Sequence, residues 1–400
     1  MIACKGDYMN PVLKIDLPEW VQDYPVQKLM SIIGGDLTPA VSMFVGGCVR
    51  NTLLHESVGD IDIATSLQPE EVFGKLQAAN IKCIPTGIEH GTLTAVVDGK
   101  SFEITTLRHD DETDGRHAKV SFTQSWEEDA RRRDFTMNTL LADMSGNIYD
   151  PTGAGMDDLN ARKVVFVGEP AKRIEEDYLR ILRFFRFYAQ YGEGEPDKEA
   201  LRACESAADK ITTLSRERIT QEFLKILETD KVADVLTAMF DIGVLSDITD
   251  SSFNASDLKA FADLQNKHSA VEVISRLFVV SGYRPRFYDD YFRLPHVQQK
   301  ALIKYDMVMN GDFYKSAKTL KKAIFHHGND LMLQGYLLMT AKGAIQEDKT
   351  LMDILRDWRA PECPITGETL IAEGYKTGPE LGVELARRQE EWLDQEISLH

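Results

Sequence analysis

The feature that most constrains this chain is a change in the spacing of its apolar residues near Glu169. Before that point, short alternating segments lie between glycine-containing turns, a pattern typical of strands mixed with short helices. After it, helical periodicity dominates and strand patterns nearly disappear. The pattern predicts an α+β fold, in which an N-terminal head with a small mixed β-sheet is followed by an all-α neck, body and tail.

The length of 400 residues is enough for two or more domains at about 150 residues each. We predict four parts along the chain. These are a catalytic head at 1–150, a helical neck at 151–230, a helical body at 231–310 and a helical tail at 311–400.

Composition narrows the possible partners. The 64 acidic residues outnumber the 46 basic ones and leave a net charge of −18, which argues against indiscriminate coating of nucleic acid. A polyanionic partner would therefore need a local basic surface. The apolar stretches are too short for a membrane span, and the five cysteines are scattered without a CxxC pair. We expect a cytoplasmic protein with no membrane partner and no disulfide framework.

The first chemistry-bearing segment is the predicted strand Asp60-Ile61-Asp62. Alternate residues of a strand point to one face, so we expect the two carboxylates to converge. Carboxylates at this spacing suit Mg²⁺ ions that bridge nucleotide phosphates, and two such ions favour in-line displacement at phosphorus. Glu103, on the predicted strand FEITT, is the candidate third carboxylate.

A glycine-flanked helix start lies just upstream of these carboxylates. Gly46 and Gly47 would let phosphate approach backbone N–H groups, and Arg50 follows on the first turn of that helix. The string GGCVRNTLLHESVGDIDIAT resembles the signature of the class II tRNA nucleotidyltransferase and bacterial poly(A) polymerase family, within the polymerase-beta superfamily. The chain departs from the family pattern at Asn51, where the family has Asp, and at His55, where it has Gly.

The second motif is a triple-arginine run followed by Asp134 and an apolar segment. Arginine presents planar, bidentate donors that suit phosphate, and a neighbouring aspartate can accept from a ribose hydroxyl. The string resembles the family's RRDFTxNA motif, which implies nucleotide binding by Arg133, Asp134 and Asn138.

The third motif lies in a segment with helical spacing, where Asp177 and Arg180 would share one face and Arg183 and Arg186 continue the same step. The aspartate is a hydrogen-bond acceptor beside a rigid arginine donor, and this pair complements the amino donor and ring-nitrogen acceptor of cytosine and adenine. Uracil and guanine present a carbonyl acceptor beside an N–H donor, which would leave buried groups unpaired. The segment resembles the family's EDxxR motif, which implies selection of the base by protein side chains. The polar, aperiodic residues 109–118 predict a mobile loop that would help the site reshape between C and A.

Together the motifs imply addition of C, C and A to the 3′ end of tRNA from CTP and ATP by two-metal phosphoryl transfer, with Mg²⁺ at Asp60 and Asp62 and no obligate protein partner. The alternatives within this chemistry are a poly(A) polymerase and an enzyme that adds only CC or only A. From other classes, a metal phosphohydrolase at His109-Asp110 and a non-catalytic RNA-binding module remain as competing hypotheses. Four lysines at helical spacing in the predicted tail are candidate RNA contacts: Lys315, Lys318, Lys321 and Lys322.

Overall fold

The computed structural model describes residues 9–88, 91–114, 117–246, 248, 253–286 and 291–399. The chain divides into two compact units, residues 1–219 with 241–244 and residues 220–240 with 245–400. Within the described ranges, no helix combines the length and the apolarity that crossing a membrane requires.

An eight-stranded mixed sheet organises the first unit, in the order β1-β10-β9-β2-β3-β6-β5-β4. Strands β3 and β6 pair in parallel, and the other neighbours run antiparallel. The strands of this sheet are β1 Leu13–Lys14, β2 Ser42–Val45, β3 Asp62–Thr65, β4 Lys82–Gly87, β5 Thr92–Val97, β6 Lys100–Thr106, β9 Leu141–Ala142 and β10 Asn147–Tyr149.

The hairpin of β5 and β6 follows directly from its sequence. Its turn residues Asp98 and Gly99 both have positive φ, at 50° and 83°, which a tight two-residue hairpin turn requires. Side chains of β5 alternate between buried and half-buried, so one face of the strand packs into the core. The dipeptide Asp98-Gly99 between two strand-like segments predicts a hairpin from sequence alone, and the pairing of β5 with β6 confirms it.

Residues 109–118 differ from the expected loop. Residues 109–114 and 117–118 belong to a separate two-stranded antiparallel sheet of β7 Arg108–Asp114 and β8 His117–Phe122. A polar sequence lacks the alternation by which a strand is recognised, but antiparallel pairing satisfies its backbone N–H and C=O groups equally well. Residues 115 and 116 of the predicted loop lie outside the described residues.

The helices of the first unit lie between the strands along the chain and after the last of them. Pro69 and the two glutamates after it, at the start of an amphipathic pattern, predict a helix at Pro69–Ala79. The structure confirms it as Pro69–Ala78, with proline in its first turn and a capping box between Gln68 and Glu71. The helices are α1 Glu19–Gln22, α2 Tyr24–Ile32, α3 Gly47–Leu53, α4 Pro69–Ala78, α5 Trp126–Arg131, α6 Gly155–Asn160, α7 Pro170–Glu176, α8 Leu179–Tyr191 and α9 Lys198–Ser206.

Aromatic packing fixes helix α8 against the segment that carries the triple arginine. The ring of Phe135 lies 4.9 Å from that of Phe166 and 4.9 Å from that of Phe187, and Phe184 stacks on Phe166 at 5.7 Å. Phe135, Phe166 and Phe184 are fully buried. Such pairs stabilise a fold by about 0.5–1.5 kcal/mol beyond the area they bury, so the second and third motifs are held together by a rigid core.

The described part of the second unit is helical, as the apolar periodicity predicts. Arg216–Leu227 crosses the division between the two units, and the helices after it are Val232–Asp241, Ala255–Lys267, Val273–Val280, His296–Asn310, Ala317–His327, Asn329–Ala341, Lys349–Asp357, Gly367–Ala372 and Pro379–Leu399. The α+β prediction, with strands only in the N-terminal region, is therefore confirmed for the described residues.

Candidate functional site

The junction of β2 and α3 forms one wall of the site. Gly46 joins them with φ 72° and ψ −128°, a backbone conformation that side chains disfavour. A Cβ atom at Gly46 would lie 3.7 Å from Asp62 Oδ2 and 4.0 Å from Arg133 Nη1. The glycine therefore leaves backbone open next to a carboxylate and a guanidinium from two other parts of the chain.

The predicted carboxylates do not share a strand as expected. Strand β3 begins at Asp62, and Asp60 is exposed in the bend before it. Glu103 on β6 is the direct register partner of Asp62 across the parallel pair. Two adjacent strands, rather than one, thus supply the pair of neighbouring carboxylates, because strand pairing aligns residues that are far apart in sequence.

The positive charge near Asp62 does not compensate for the burial of its carboxylate and for the nearby charge of Glu103. Burial, followed by repulsion from Glu103, raises the pKa of Asp62 to about 6, and the attraction of Arg133 only partly offsets this. Among the described residues, no group of three or more His, Cys, Asp or Glu side chains lies close enough together to hold a metal ion.

Arg50 is buried beneath the glycines and is held by neutral acceptors. Its guanidinium donates to Asn138 Oδ1 at 2.6 Å, to Asn51 Oδ1 at 2.8 Å and to the Tyr191 hydroxyl at 2.7 Å. It also lies 4.1 Å from the centre of the Tyr191 ring. Asn51, where the family has Asp, keeps an acceptor for Arg50 without adding a negative charge. The second departure, His55, has φ 57°, a value at which glycine would be unstrained.

The triple-arginine motif is organised by Asp129, which sequence inspection missed. This aspartate is 2% exposed and accepts from Arg132 Nε at 2.7 Å and from Arg133 Nη2 at 2.9 Å. Burial alone would raise the pKa of Asp129, but Arg133 and Arg132 outweigh burial and hold it below its usual range. The i,i+3 and i,i+4 spacing was a usable signal, since these side chains meet at a helix end.

Asp134 links this motif to helix α8. Its carboxylate accepts from Arg183 Nε at 2.9 Å and from Asn138 Nδ2 at 3.0 Å. These contacts, against the effect of burial, hold the pKa of Asp134 below its usual range. Arg186, one turn further on, lies over the Phe187 ring at 4.8 Å.

The EDxxR segment is not the continuous helix that its spacing predicted. Helix α7 ends at Glu176, and α8 begins at Leu179. Asp177 has an extended backbone, and its Oδ1 accepts from the Leu179 N–H at 3.1 Å. Aspartate competes with the helix for nearby backbone donors, which explains why the helix stops at this position.

Asp177 and Arg180 nevertheless face one cavity, with different partners. Asp177 Oδ2 accepts from Arg218 Nη2 at 2.7 Å, across 41 residues of sequence. Arg180 donates to the carbonyl oxygen of Arg173 at 2.7 Å and to the Glu176 carboxylate. Asp177 is therefore held by a residue far away in sequence, whereas Arg180 is held by residues one to two helical turns before it.

These elements enclose a cavity of about 600 Å³ in the first unit. Seven arginines and three aspartates line it, which gives an acidic protein a strongly positive cleft. Asp60 and Glu103 do not line the cavity. The residues that line it are Gly46, Gly47, Arg50, Asp62, Arg132, Arg133, Asp134, Asn138, Asp177, Leu179, Arg180, Arg183, Arg186, Phe187 and Arg218.

The four candidate RNA-binding lysines lie at or near the helix Ala317–His327 in the second unit. Lys318 contacts Asp394 at 2.7 Å, and Lys322 contacts Glu390 at 3.1 Å and Asp394 at 2.9 Å, both on the last helix. The other two have separate contacts. Lys315 pairs with Asp312 at 2.7 Å, and Lys321 lies 5.7 Å from the centre of the Trp358 ring.

Comparison with known proteins agrees with the motif order. A model described as the poly A polymerase head domain matches residues 42–165, and one described as a probable RNA and SrmB-binding site of polymerase A matches residues 195–249. The mitochondrial CCA tRNA nucleotidyltransferase 1 of Danio rerio is 34% identical over 361 residues, which cover 87% of this chain and 82% of that protein. The CCA-adding enzyme of Oceanobacillus iheyensis is 40% identical over 236 residues, 58% of each chain.

Among solved structures, the Bacillus stearothermophilus CCA-adding enzyme in complex with CTP has a TM-score of 0.73 at 26% identity and covers 94% of both chains. The similarity extends over the sheet, the cleft and the helical remainder rather than over a single motif. The chain therefore belongs to the CCA-adding tRNA nucleotidyltransferase family.

Proposed function

We propose that the positive cleft binds CTP and ATP in turn and transfers C, C and A to the 3′ end of tRNA. The observation that carries this proposal is that one cavity combines Asp62, a set of arginines, and the acceptor–donor pair Asp177 and Arg180. Phosphoryl transfer requires the first two, and template-independent choice of base requires the third.

The phosphates would lie between Gly46 and the arginines from two separate segments. Arg50 and Arg133 approach the glycine backbone from α3 and from the end of α5, and their positive charges oppose the phosphate charge. Asp129 orients Arg133, while Asp134 fixes Arg183 and Asn138. Preorganised donors of this kind stabilise charge that develops in the transition state without having to reorganise.

The base would meet Asp177 and Arg180 at the gap between α7 and α8. Arg218 and the Leu179 N–H hold the Asp177 carboxylate, so an amino group of cytosine or adenine would approach a fixed acceptor. Arg180, held by Glu176, would donate to the adjacent ring nitrogen. Uracil and guanine present the reverse order and would leave both protein groups unpaired.

The carboxylates at the cleft and beside it fit Mg²⁺. Asp62 and Glu103 are register partners, and their mutual repulsion contributes to the raised pKa of Asp62, which a divalent cation would relieve. Mg²⁺ commonly uses only one or two carboxylates together with substrate phosphates and water. Bound there, it would act as a Lewis acid on the phosphoryl oxygens. We propose Asp62 and Asp60 as ligands, and Glu103 as a further ligand or as the acceptor of the tRNA 3′-hydroxyl proton.

We also propose the four-part organisation with a catalytic head at 1–150, a base-reading neck at 151–230, a body at 231–310 and a tRNA-binding tail at 311–400. A reducing compartment, with the cytoplasm as the first candidate, suits this chain, because the four cysteines in its described part are all free thiols.

A primer-extension assay tests the proposed function. A tRNA that ends before CCA is incubated with Mg²⁺ and one labelled nucleotide at a time, and the products are resolved on a gel. We expect two additions from CTP alone and one further addition when ATP follows. Incorporation of neither nucleotide would refute the proposal. Long adenosine tracts would favour a poly(A) polymerase, and two C or one A alone would indicate a partial enzyme.

A further inference from the structure

Arg173 connects two motifs that the sequence separates by about forty residues. It lies on α7 and is 8% exposed. One terminal nitrogen, Nη2, donates to the carbonyl oxygen of Arg133 at 2.8 Å and to that of Arg132. Arg173 thus secures the backbone from which the phosphate-facing guanidinium of Arg133 projects.

The other terminal nitrogen of Arg173 donates to Glu176, whose Oε2 atom also accepts from Arg180. The carbonyl oxygen of Arg173 accepts from Arg180 at 2.7 Å as well. Arg173 therefore holds Arg180 in two ways, through its own carbonyl oxygen and through the Glu176 carboxylate, to which both arginines donate. None of these contacts involves Asp177, which is held separately by Arg218.

We propose that Arg173 is a positioning residue that couples the triple-arginine segment to the base-reading Arg180, and that nucleobase selectivity depends on it. This inference rests on the proposed function, since it assigns Arg180 to the base. A guanidinium can bridge two carbonyl oxygens and a carboxylate in one plane, whereas a lysine ammonium offers no such fork. Loss of the bridge would let Arg180 rotate on Glu176 and weaken discrimination between bases.

The test compares CTP with UTP on a tRNA that ends before CCA, using Arg173→Lys in the full chain. We expect the ratio of kcat/KM for CTP to that for UTP to fall about tenfold. A purely structural role would reduce the active fraction and slow both nucleotides equally, which leaves the ratio unchanged. The ratio therefore separates positioning from loss of folded protein.

Lys172→Gln is the matched control, because Lys172 lies on the same helix and is 75% exposed in a pair with Glu169. We expect its CTP-to-UTP ratio to equal that of the unmodified protein. Glu176→Gln provides a second variant if Arg173→Lys does not fold, since the Glu176 side chain is 25% exposed and less buried than Arg173. It should lower the ratio in the same direction, by loosening both arginines.

The double variant tests whether the two residues act along one connection. We expect Arg173→Lys with Glu176→Gln to lower the ratio little more than either change alone, and multiplicative effects would contradict a shared connection. An unchanged ratio in both single variants would overturn the inference while the proposed function stands. If the unmodified protein adds no nucleotide, or uses UTP as well as CTP, the proposed function itself fails.

Discussion

At the scale of single residues, charge balance in the cleft decides what each side chain can do. Asp62 carries a raised pKa because burial and Glu103 both penalise its ionised form. Asp129 carries a lowered pKa because Arg133 and Arg132 outweigh the same penalty. The half-buried Asp62 and the fully buried Asp129 are therefore suited to different tasks, one to meeting an incoming cation and the other to orienting arginines.

We predict that Asp62→Asn stabilises the metal-free protein while it lowers kcat/KM by at least about a hundredfold. The folded pKa of about 6 lies above the ordinary 3.8, so the unfolded chain ionises Asp62 first and stability is lost as pH rises between these two values. The advantage of the variant should grow as pH rises from about 4 to about 6, and reach about 1–2 kcal/mol at pH 7. Urea unfolding in the presence of a chelator measures this difference.

Asp60→Asn is the control for stability, because Asp60 is exposed before the strand and its neutralisation removes no buried charge. Its free energy of unfolding should rise far less than that of Asp62→Asn, because only the minor repulsion between Asp60 and Asp62 is removed. If Asp62→Asn instead destabilised the protein at pH 7, this result would contradict the prediction, because it would mean that the charge of Asp62 stabilises the fold.

Asp129→Asn should have the opposite effect on stability. Two arginines would lose their buried counter-charge, so the free energy of unfolding at pH 7 should fall by about 2–4 kcal/mol. A carboxylate with a lowered pKa stabilises the fold above its unfolded value and loses that contribution as pH falls through the folded one. The difference between the two proteins should therefore narrow in acid, and a constant difference across pH would argue against it.

At the scale of secondary-structure elements, the junctions carry the function. Gly46 connects β2 to α3, and Asp177 stands between α7 and α8. In each case the backbone leaves regular geometry and brings a group to the cavity. Regular elements satisfy their own backbone groups, so ligand-facing N–H groups and unusual side-chain directions arise where elements end.

We predict that Gly46→Ala lowers the free energy of unfolding by about 1–3 kcal/mol, because its φ of 72° and ψ of −128° strain any side chain. The KM for CTP should rise too, since the new methyl group would occupy space beside Asp62. Gly47→Ala is the matched control. It also adds a methyl group near an arginine, 3.8 Å from Arg50, but Gly47 lies at the start of a helix and does not have positive φ, so its backbone is not strained by a side chain. Thermal unfolding should distinguish the two variants, and equal losses would contradict a role for backbone strain at Gly46.

At the scale of the whole molecule, a net charge of −18 must coexist with tRNA binding. The cleft concentrates arginines, but Lys318 and Lys322 of the helix Ala317–His327 contact acids on the helix Pro379–Leu399. Exposed ion pairs are worth only about 0–1 kcal/mol each, so phosphates can displace them. Lys318 can contact RNA only if its ion pair with Asp394 breaks, and Lys322 only if its ion pairs with Glu390 and Asp394 break.

We therefore predict that the double variant Glu390→Gln with Asp394→Asn binds tRNA about three- to tenfold more tightly at low salt, because it frees both lysines. Filter binding over a range of salt concentrations measures this affinity. A control with the same charge change, Glu368→Gln with Glu380→Gln, alters acids in the first turns of two tail helices and should change the affinity less. Equal gains in both would show that only net charge matters, and no gain would count against RNA contact by these lysines.

The sequence alone determined the fold class, the hairpin at Asp98-Gly99, the helix at Pro69–Ala78 and the order of the motifs. These features depend on local rules. Turn residues that tolerate positive φ, caps at helix ends and the period of apolar residues all act within a few positions along the chain.

Only the tertiary structure decided which charged groups meet. Asp62 lies opposite Glu103 on the neighbouring strand, and Asp177 accepts from Arg218 rather than from Arg180. Arg173 donates to the carbonyl oxygens of Arg132 and Arg133. With seven arginines in one cavity, sequence spacing cannot determine which carboxylate pairs with which guanidinium. That choice follows from long-range packing and strand register, because electrostatic pairing depends on distance in space rather than along the chain.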